Sequence, residues 1–183
     1  MADMAIAART RLPTGIWQVD PVHSRIGFAA KHLGIATVRG NFKEFEGTLD
    51  LDAGRVYGTV QAASLDTNVE KRDEDLRSPN FFSVAEYPEM RFESTEIRSL
   101  GEDTFEIEGD FTLRGVTNPI VLWAELGGTE TDPWGHERIA LEVTGEIDRS
   151  DWGMTFNQAL GSGNLFVSDR IKLQLDISAV KQG

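Results

Sequence analysis

Three long segments alternate apolar and polar residues with a period of two, which excludes a helical reading for most of the chain. Phe105, Ile107, Gly109, Phe111 and Leu113 alternate with Thr104, Glu106, Glu108, Asp110 and Thr112. Ile139, Leu141, Val143, Gly145 and Ile147 alternate with Ala140, Glu142, Thr144, Glu146 and Asp148. Ile171, Leu173, Leu175, Ile177 and Ala179 alternate with Lys172, Gln174, Asp176 and Ser178. Successive side chains of a strand point to opposite faces, so each segment has one dry and one wet face. Such strands belong to an antiparallel sheet covered on one side. Weaker alternation occurs at 47–52, 56–62, 90–97 and 120–126, and in the last of these Val121 and Trp123 suggest cover on both faces. With extended stretches at 16–19 and 25–42 the count is about eight or nine strands.

Turn chemistry separates the runs: Ala53-Gly54, Leu100-Gly101-Glu102-Asp103, Gly115-Val116-Thr117-Asn118-Pro119, and Gly127-Gly128 through Asp132-Pro133. Meander spacing of this kind predicts an up-and-down barrel or a two-layer sandwich. One helix is signalled. Thr67-Asn68-Val69-Glu70 reads as a capping box, the helix runs from Val69 to about Arg77, and Pro79 blocks its continuation. A helix so short and so charged needs docking, through Val69, Leu76, Phe81 and Phe82, and over a barrel end it would be a lid or plug. Arg72-Asp73 reads as a local ion pair that fixes it.

Strands of eight to eleven residues are roughly 26–36 Å long, and about eight of them close a barrel that holds its own side chains or one small ligand. Ten Phe and four Trp are available to line it. A long apolar tube suits a linear hydrophobic ligand. A filled core gives the same pattern, and on pattern alone it is the reading to prefer.

The 183 residues make one domain, with 1–14 as a flexible N-terminus and 15–181 as the barrel. The net charge of −12 repels nucleic acid and anionic membranes. The absence of Cys removes disulfides, thiolate metal sites and Cys nucleophiles. No apolar run reaches the ~18–20 residues needed to cross a bilayer, and the stretch 4–8 is too short for a signal peptide, so a cytoplasmic location is expected.

Candidate chemistry is sparse. His23 and His32 lie nine residues apart and His136 is remote, a spacing that does not form a metal site. Asp20, His23 and Ser24 are the residue types of a hydrolase triad, but neighbours on one strand alternate faces and no nucleophile elbow supports them. For His23 a structural hydrogen bond near Asp20 and Ser24 is the preferred reading. Acidic pairs such as Asp73 with Asp75, or Asp148 with Asp151, read as solvated faces. Trp152, Met154 and Phe156, ahead of the Gly-rich loop Ala159-Leu160-Gly161-Ser162-Gly163-Asn164, offer adaptable apolar contact at an entrance.

The order of motifs carries further information. Trp17-Gln18-Val19-Asp20-Pro21-Val22-His23-Ser24-Arg25-Ile26-Gly27-Phe28 is followed by Lys31-His32-Leu33-Gly34 and Arg39-Gly40-Asn41-Phe42. Then come Arg72-Asp73-Glu74-Asp75-Leu76-Arg77-Ser78, Phe81-Phe82 and Tyr87-Pro88-Glu89-Met90-Arg91-Phe92. The series closes with Gly109-Asp110-Phe111-Thr112-Leu113-Arg114-Gly115 and Asp148-Arg149-Ser150-Asp151-Trp152-Gly153-Met154. Over 17–180 this series resembles the YceI-like family. The resemblance implies an all-β fold, an extended antiparallel eight-stranded lipocalin-like barrel with one short helix near the barrel end. It also implies an isoprenoid ligand such as a polyprenyl phosphate or an isoprenoid quinone. Many members are exported; without a signal segment this chain resembles the cytoplasmic ones. Relatives usually carry His where this chain has Asp75, and an acidic residue there disfavours a phosphate nearby and favours a neutral quinone or carotenoid-type ligand.

The expected function is therefore non-enzymatic storage or transport of one isoprenoid-type lipid, without a metal or another cofactor. Phe28, Phe42, Phe45, Phe81, Phe82, Trp152, Met154 and Phe156 are the expected pore and entrance contacts. Arg25, Lys31 and His32 are head-group candidates. Two rivals stay open: a lipocalin-like enzyme acting on an isoprenoid or lipid head group, and a structural module with a filled barrel that forms a homodimer.

Overall fold

A computed structural model describes residues 12–158, 160–162 and 166–183. Among the described residues eleven strands form one antiparallel sheet: β1 (Ile16–Val19), β2 (Arg25–His32), β3 (Ala36–Phe42), β4 (Phe45–Asp50), β5 (Arg55–Gln61), β6 (Leu65–Asp66), β7 (Glu89–Ser99), β8 (Thr104–Leu113), β9 (Val116–Thr131), β10 (Glu137–Asp148) and β11 (Arg170–Lys181). The helix α1 (Glu70–Arg77) interrupts them. The ladder runs β1-β4-β5-β7-β8-β9-β10-β11, and β11 returns to β1, which closes an eight-stranded barrel. The pairs β2–β3 and β3–β6 continue the staves begun by β1, β4 and β5 towards the helix end.

Closure depends on a change of partner along one edge of β11. Lys172–Asp176 pairs with β2, and Ala179–Lys181 pairs with β1. Between them the chain turns through 20–24, where Pro21 has no N–H to offer the ladder. Ser24 fills the gap: its hydroxyl accepts from the Ser178 N–H (2.9 Å) and donates to the Ser178 carbonyl (3.1 Å), while the Asp20 N–H donates to the same carbonyl (2.8 Å). The seam is thus hydrogen-bonded through the kink, as a buried edge requires.

Two bulges shift the phase of the ladder. In β7 the register shifts between Ser94 and Glu96, so the inward phase of Met90 and Phe92 passes to Ile97. In β9 the ladder steps from Leu126 to Gly128 opposite Leu141 and Ala140, leaving Gly127 as the extra residue. Gly127-Gly128 therefore sits inside a 16-residue strand instead of ending it, which corrects the expected turn. Nor are Val121 and Trp123 covered: their face of β9 is the outer one, and they are 37% and 45% exposed.

The helix end also departs from expectation. Helix α1 has Val69 as its N-cap with no side-chain cap bond, so Thr67 and Glu70 do not form a capping box. The buried Asp73 carboxylate reaches back instead, accepting from the Thr67 N–H (2.9 Å) and hydroxyl (2.6 Å). Arg72 donates to the Thr67 hydroxyl and carbonyl (2.8 Å each), so Arg72 and Asp73 clamp Thr67 from two sides instead of pairing with each other. Arg77 donates to the Ala63 and Leu65 carbonyls, and Arg114 to those of Pro79 and Phe81. These bonds fix the turn 78–84 across the barrel end and direct Phe81 and Phe82 inward.

The opposite end is a floor. Trp17, Ile139 and Ala179 are almost completely buried and pack on Leu49, Leu51 and Leu126, and the Trp17 Nε1–H donates to the Thr14 carbonyl. Beside it Arg138 ties the Asp20 turn to the β9–β10 hairpin, donating to Asp20 and Asp132 (2.9 Å each). Hydrogen bonds from His23 and Arg138 hold the Asp20 carboxyl down at about 2. Burial pushes the Asp132 carboxyl up, but Arg138 and the His136 and Trp134 N–H groups outweigh it and hold it at about 2. Depressed carboxyl values stabilise the fold above the unfolded value of 3.8, and that contribution is lost as pH falls through about 2. The gap in melting temperature between the wild type and Arg138→Met should be constant above pH ~5 and close between about 4 and 2. A pH series of thermal melts checks this.

Candidate binding lumen

The inward phase of every stave is apolar, yet the barrel is not filled. An internal cavity of about 290 Å³ runs from the floor to the helix end. Leu12, Val19, Leu49, Leu51 and Ile139 line it at the floor, and Leu76, Phe81, Phe82, Arg149, Met154 and Val167 line it at the helix end. From Ile139 to Ile147 the wall covers roughly 26 Å along β10, and a stave tilt of ~35–45° makes that about 20 Å of depth. Above Ala179 in the floor, the inward side chains of β11, namely Ile171, Leu173, Leu175 and Ile177, line the cavity and remain only half-buried. An inward apolar side chain that keeps accessible surface faces empty space, which is what distinguishes a lumen from a packed core.

Glycine at inward positions sets the shape of the wall. Gly40 lies directly across from Phe28, and a Cβ on it would sit 2.5 Å from that ring. At Gly109 a Cβ would sit 2.6 Å from the Glu93 carbonyl and collide with the Phe92 ring. Both rings can therefore lie flat against the sheet and leave the axis open. Phe28, Phe42 and Phe82 meet as a three-ring cluster with centroids 5.4–6.4 Å apart, narrowing the lumen beneath the helix turn.

Phe28, Phe42, Phe45, Phe81, Phe82 and Met154 all line the lumen. Trp152 is buried outside it, its Nε1–H donating to the Phe111 carbonyl (3.0 Å) and its ring against Phe111. Phe156 is 41% exposed and packs edge-on to Phe81 from outside, at 5.5 Å. Arg25 is on the exposed phase of β2. Lys31, on the same phase, donates to the Thr37 hydroxyl. His32 packs on Phe166 at the rim. None of these three lines the lumen. Asp75 is exposed on α1, away from the cavity. Within the Gly-rich loop, Ala159, Gly163 and Asn164 lie outside the described residues, as do residues 1–11 of the expected flexible N-terminus.

Arg149, in the motif Asp148-Arg149-Ser150-Asp151-Trp152-Gly153-Met154, is a functional candidate that the motif alone does not single out. It follows β10 in the inward phase of Ile139, Leu141, Val143, Gly145 and Ile147, and only 3% of it is exposed. Its Nε donates to the Ser168 carbonyl (3.0 Å), Nη1 to Met154 (2.7 Å), and Nη2 to Phe156 (2.9 Å) and Val167 (3.4 Å). Four carbonyls from two chain segments thus converge on one guanidinium. Burial pushes the Arg149 guanidinium down from its ordinary value, an effect partly offset by Asp169; with so high a starting point it stays a cation.

Elsewhere the candidate chemistry is structural. His23 Nδ1 is 2.7 Å from Asp20 Oδ2, whereas the Ser24 hydroxyl is engaged with Ser178, so these three residues do not form a relay. Among the described residues no group of three His, Cys, Asp or Glu side chains could hold a metal ion, and no helix is long and apolar enough to cross a membrane.

Comparison with known proteins agrees with this geometry. The YceI-like domain matches residues 17–179. The chain belongs to the YceI-like family. It is 40% identical to a UPF0312 protein of Photorhabdus laumondii over 156 residues, covering 82% of this chain and 78% of the relative. Protein YceI of Escherichia coli is 37% identical over 165 residues, covering 87% and 83%. Among solved structures, the YceI protein of Campylobacter jejuni superposes with a TM-score of 0.71 at 31% identity, covering 84% of this chain and 90% of that one. Burkholderia cenocepacia BcnA has a TM-score of 0.77 at 18% identity, with 87% and 98% covered, a likeness of fold. A domain of Saccharophagus degradans described as polyisoprenoid-binding shares the fold at a TM-score of 0.69 and 14% identity, covering 91% and 98%.

The convergence on Arg149 makes a prediction for this YceI-like barrel. Arg149→Met should destabilise the protein by about 2–4 kcal/mol, because buried carbonyls lose a charged donor. Hydrogen exchange should rise at 154–158 and 166–168 while the β8–β9 ladder stays protected.

Proposed function

We propose that this protein binds one isoprenoid-type lipid in the lumen and stores or transports it without chemically altering it. The observation that carries this reading is the continuous, half-buried apolar wall from the floor to the helix end. Each buried CH₂ contributes roughly 0.8 kcal/mol, so a few prenyl units suffice against the lost freedom of the ligand. The narrow bore favours a single linear chain, and the methyl branches of an isoprenoid suit a wall of Leu, Ile, Val and Phe. Membership of the YceI-like family and the Saccharophagus degradans domain described as polyisoprenoid-binding support this ligand class.

In this reading Phe28, Phe42, Phe45, Phe81, Phe82 and Met154 contact the chain, and Trp152 and Phe156 support the entrance at the helix end. The ligand is an isoprenoid quinone or a polyprenyl phosphate. Carriage instead of catalysis is favoured by the lumen wall, where the buried ionisable side chain, Arg149, is occupied with backbone carbonyls.

A variant that fills the lumen tests the proposal. Leu175 faces the cavity from the middle of β11 and is only half-buried. Leu175→Trp should cost less than about 1 kcal/mol in thermal stability, because a hollow barrel has room for the ring, whereas overpacking a filled core costs roughly 1–3 kcal/mol. The same variant should bind a C20 isoprenoid at least about tenfold more weakly than the wild type, a loss of ~1.4 kcal/mol. Unchanged affinity in a folded variant would place the ligand elsewhere.

A further inference from the structure

Among the described side chains that line the lumen, Arg149 is the one buried cation; Arg91 also borders it but lies on the exposed phase of β7. A guanidinium has five N–H donors. Four hydrogen bonds leave this one: a single bond from Nε, one from Nη1 and two from Nη2. One Nη1 hydrogen therefore has no acceptor among the described residues. The guanidinium lies 6.0 Å from the centroid of Phe81, itself a lumen residue, so the cation and the aromatic ring border the same end of the cavity. The carboxylate with which it interacts electrostatically, Asp169, makes no ion pair with it and is engaged with the Ser150 hydroxyl and N–H. No described carboxylate therefore neutralises Arg149 at contact distance, and the residue borders an otherwise apolar tube.

We propose that Arg149 recognises an oxygen acceptor on the ligand head group and so sets the direction of the bound chain, head at the helix end and tail towards Trp17. The inference rests on the carrier reading and goes beyond it by naming a specificity residue and an orientation. The recognised chemistry is a carbonyl or phosphate oxygen, reached by the free Nη1–H while the other four donors keep the guanidinium in place. A charged donor in a site of low polarity discriminates strongly between a ligand that offers an acceptor and one that does not, because burial without a partner is costly to both groups. The position of Arg149 also accounts for the exposed placement of Arg25 and Lys31, which the lumen does not need for head-group contact.

Three probes with one saturated or nearly saturated C20 isoprenoid tail test this: phylloquinone with carbonyl oxygens, phytyl phosphate with an anionic head, and the hydrocarbon phytane. With the wild-type protein both oxygen-headed probes should bind at least about tenfold more tightly than phytane, a difference of ~1.4 kcal/mol. Phosphate ahead of quinone assigns an anionic head, and the reverse order assigns a carbonyl. In Arg149→Gln the preference over phytane should shrink to within about threefold while phytane binding persists. Because that variant also weakens the loop anchor, the wild-type protein supplies an independent readout. The Arg149 side-chain nitrogen resonances should shift with phylloquinone or phytyl phosphate and stay in place with phytane. Wild-type binding of all three probes within about threefold, or Arg149 resonances indifferent to the head group, overturns the inference and leaves the carrier reading standing. Binding of none overturns the carrier reading and the inference together.

Discussion

A hollow barrel has no packed centre to hold its wall in place, so the structure depends on an unbroken hydrogen-bonded ring. The ring closes where β11 changes partner from β2 to β1, and there Ser24 and Asp20 bond to the backbone of Ser178 across the kink. A barrel with an open seam would expose strand edges and admit water to the lumen. With the seam closed, backbone groups are satisfied within the wall and the axis can stay open. The two ends complete the enclosure by different means. At the floor Trp17 packs into a small apolar cluster, while at the other end α1 and the turn 78–84 are held by side-chain donors to backbone carbonyls.

Division of labour follows from that arrangement. The walls supply only apolar contact, through side chains that keep accessible surface facing the axis. The proposed polar recognition is confined to one end, where Arg149 gathers the carbonyls of two segments and borders the cavity. A charge elsewhere in the tube would have to be desolvated without partners, at several kcal/mol. At the helix end the backbone itself provides acceptors, so a cation can be buried and still have donor capacity for a ligand. In the proposed reading, selection by tail and selection by head are separated along about 20 Å of lumen.

Much of this was legible in the sequence. The long runs of β8, β10 and β11 alternate cleanly because no bulge interrupts their inward phase, and the resemblance in motif order identified the family. The runs at 90–97 and 120–126 were weaker for different reasons: a bulge at 94–96 changes the phase of the first, and alternation cannot be followed through a bulge, whereas in the second the outer face itself carries the apolar Val121 and Trp123. The expected capping box at Thr67 failed because Asp73, one turn into the helix, competes for the same hydroxyl and N–H. A hollow centre left no mark that separates it from a filled one, since both need the same inward side chains; the space depends on how rings such as Phe28 and Phe92 lie over Gly40 and Gly109. Arg149 extends the apolar odd-numbered phase of β10, and a charge in that phase marks a side chain that points at the lumen.

The central claim is that the lumen holds a lipid. Mass spectrometry of the protein purified from cells, native and after organic extraction, tests it most directly. The account predicts one isoprenoid lipid in near-stoichiometric amount, released by solvent and bound again when offered. Protein that is empty as isolated and that refuses prenyl chains when they are supplied would contradict it.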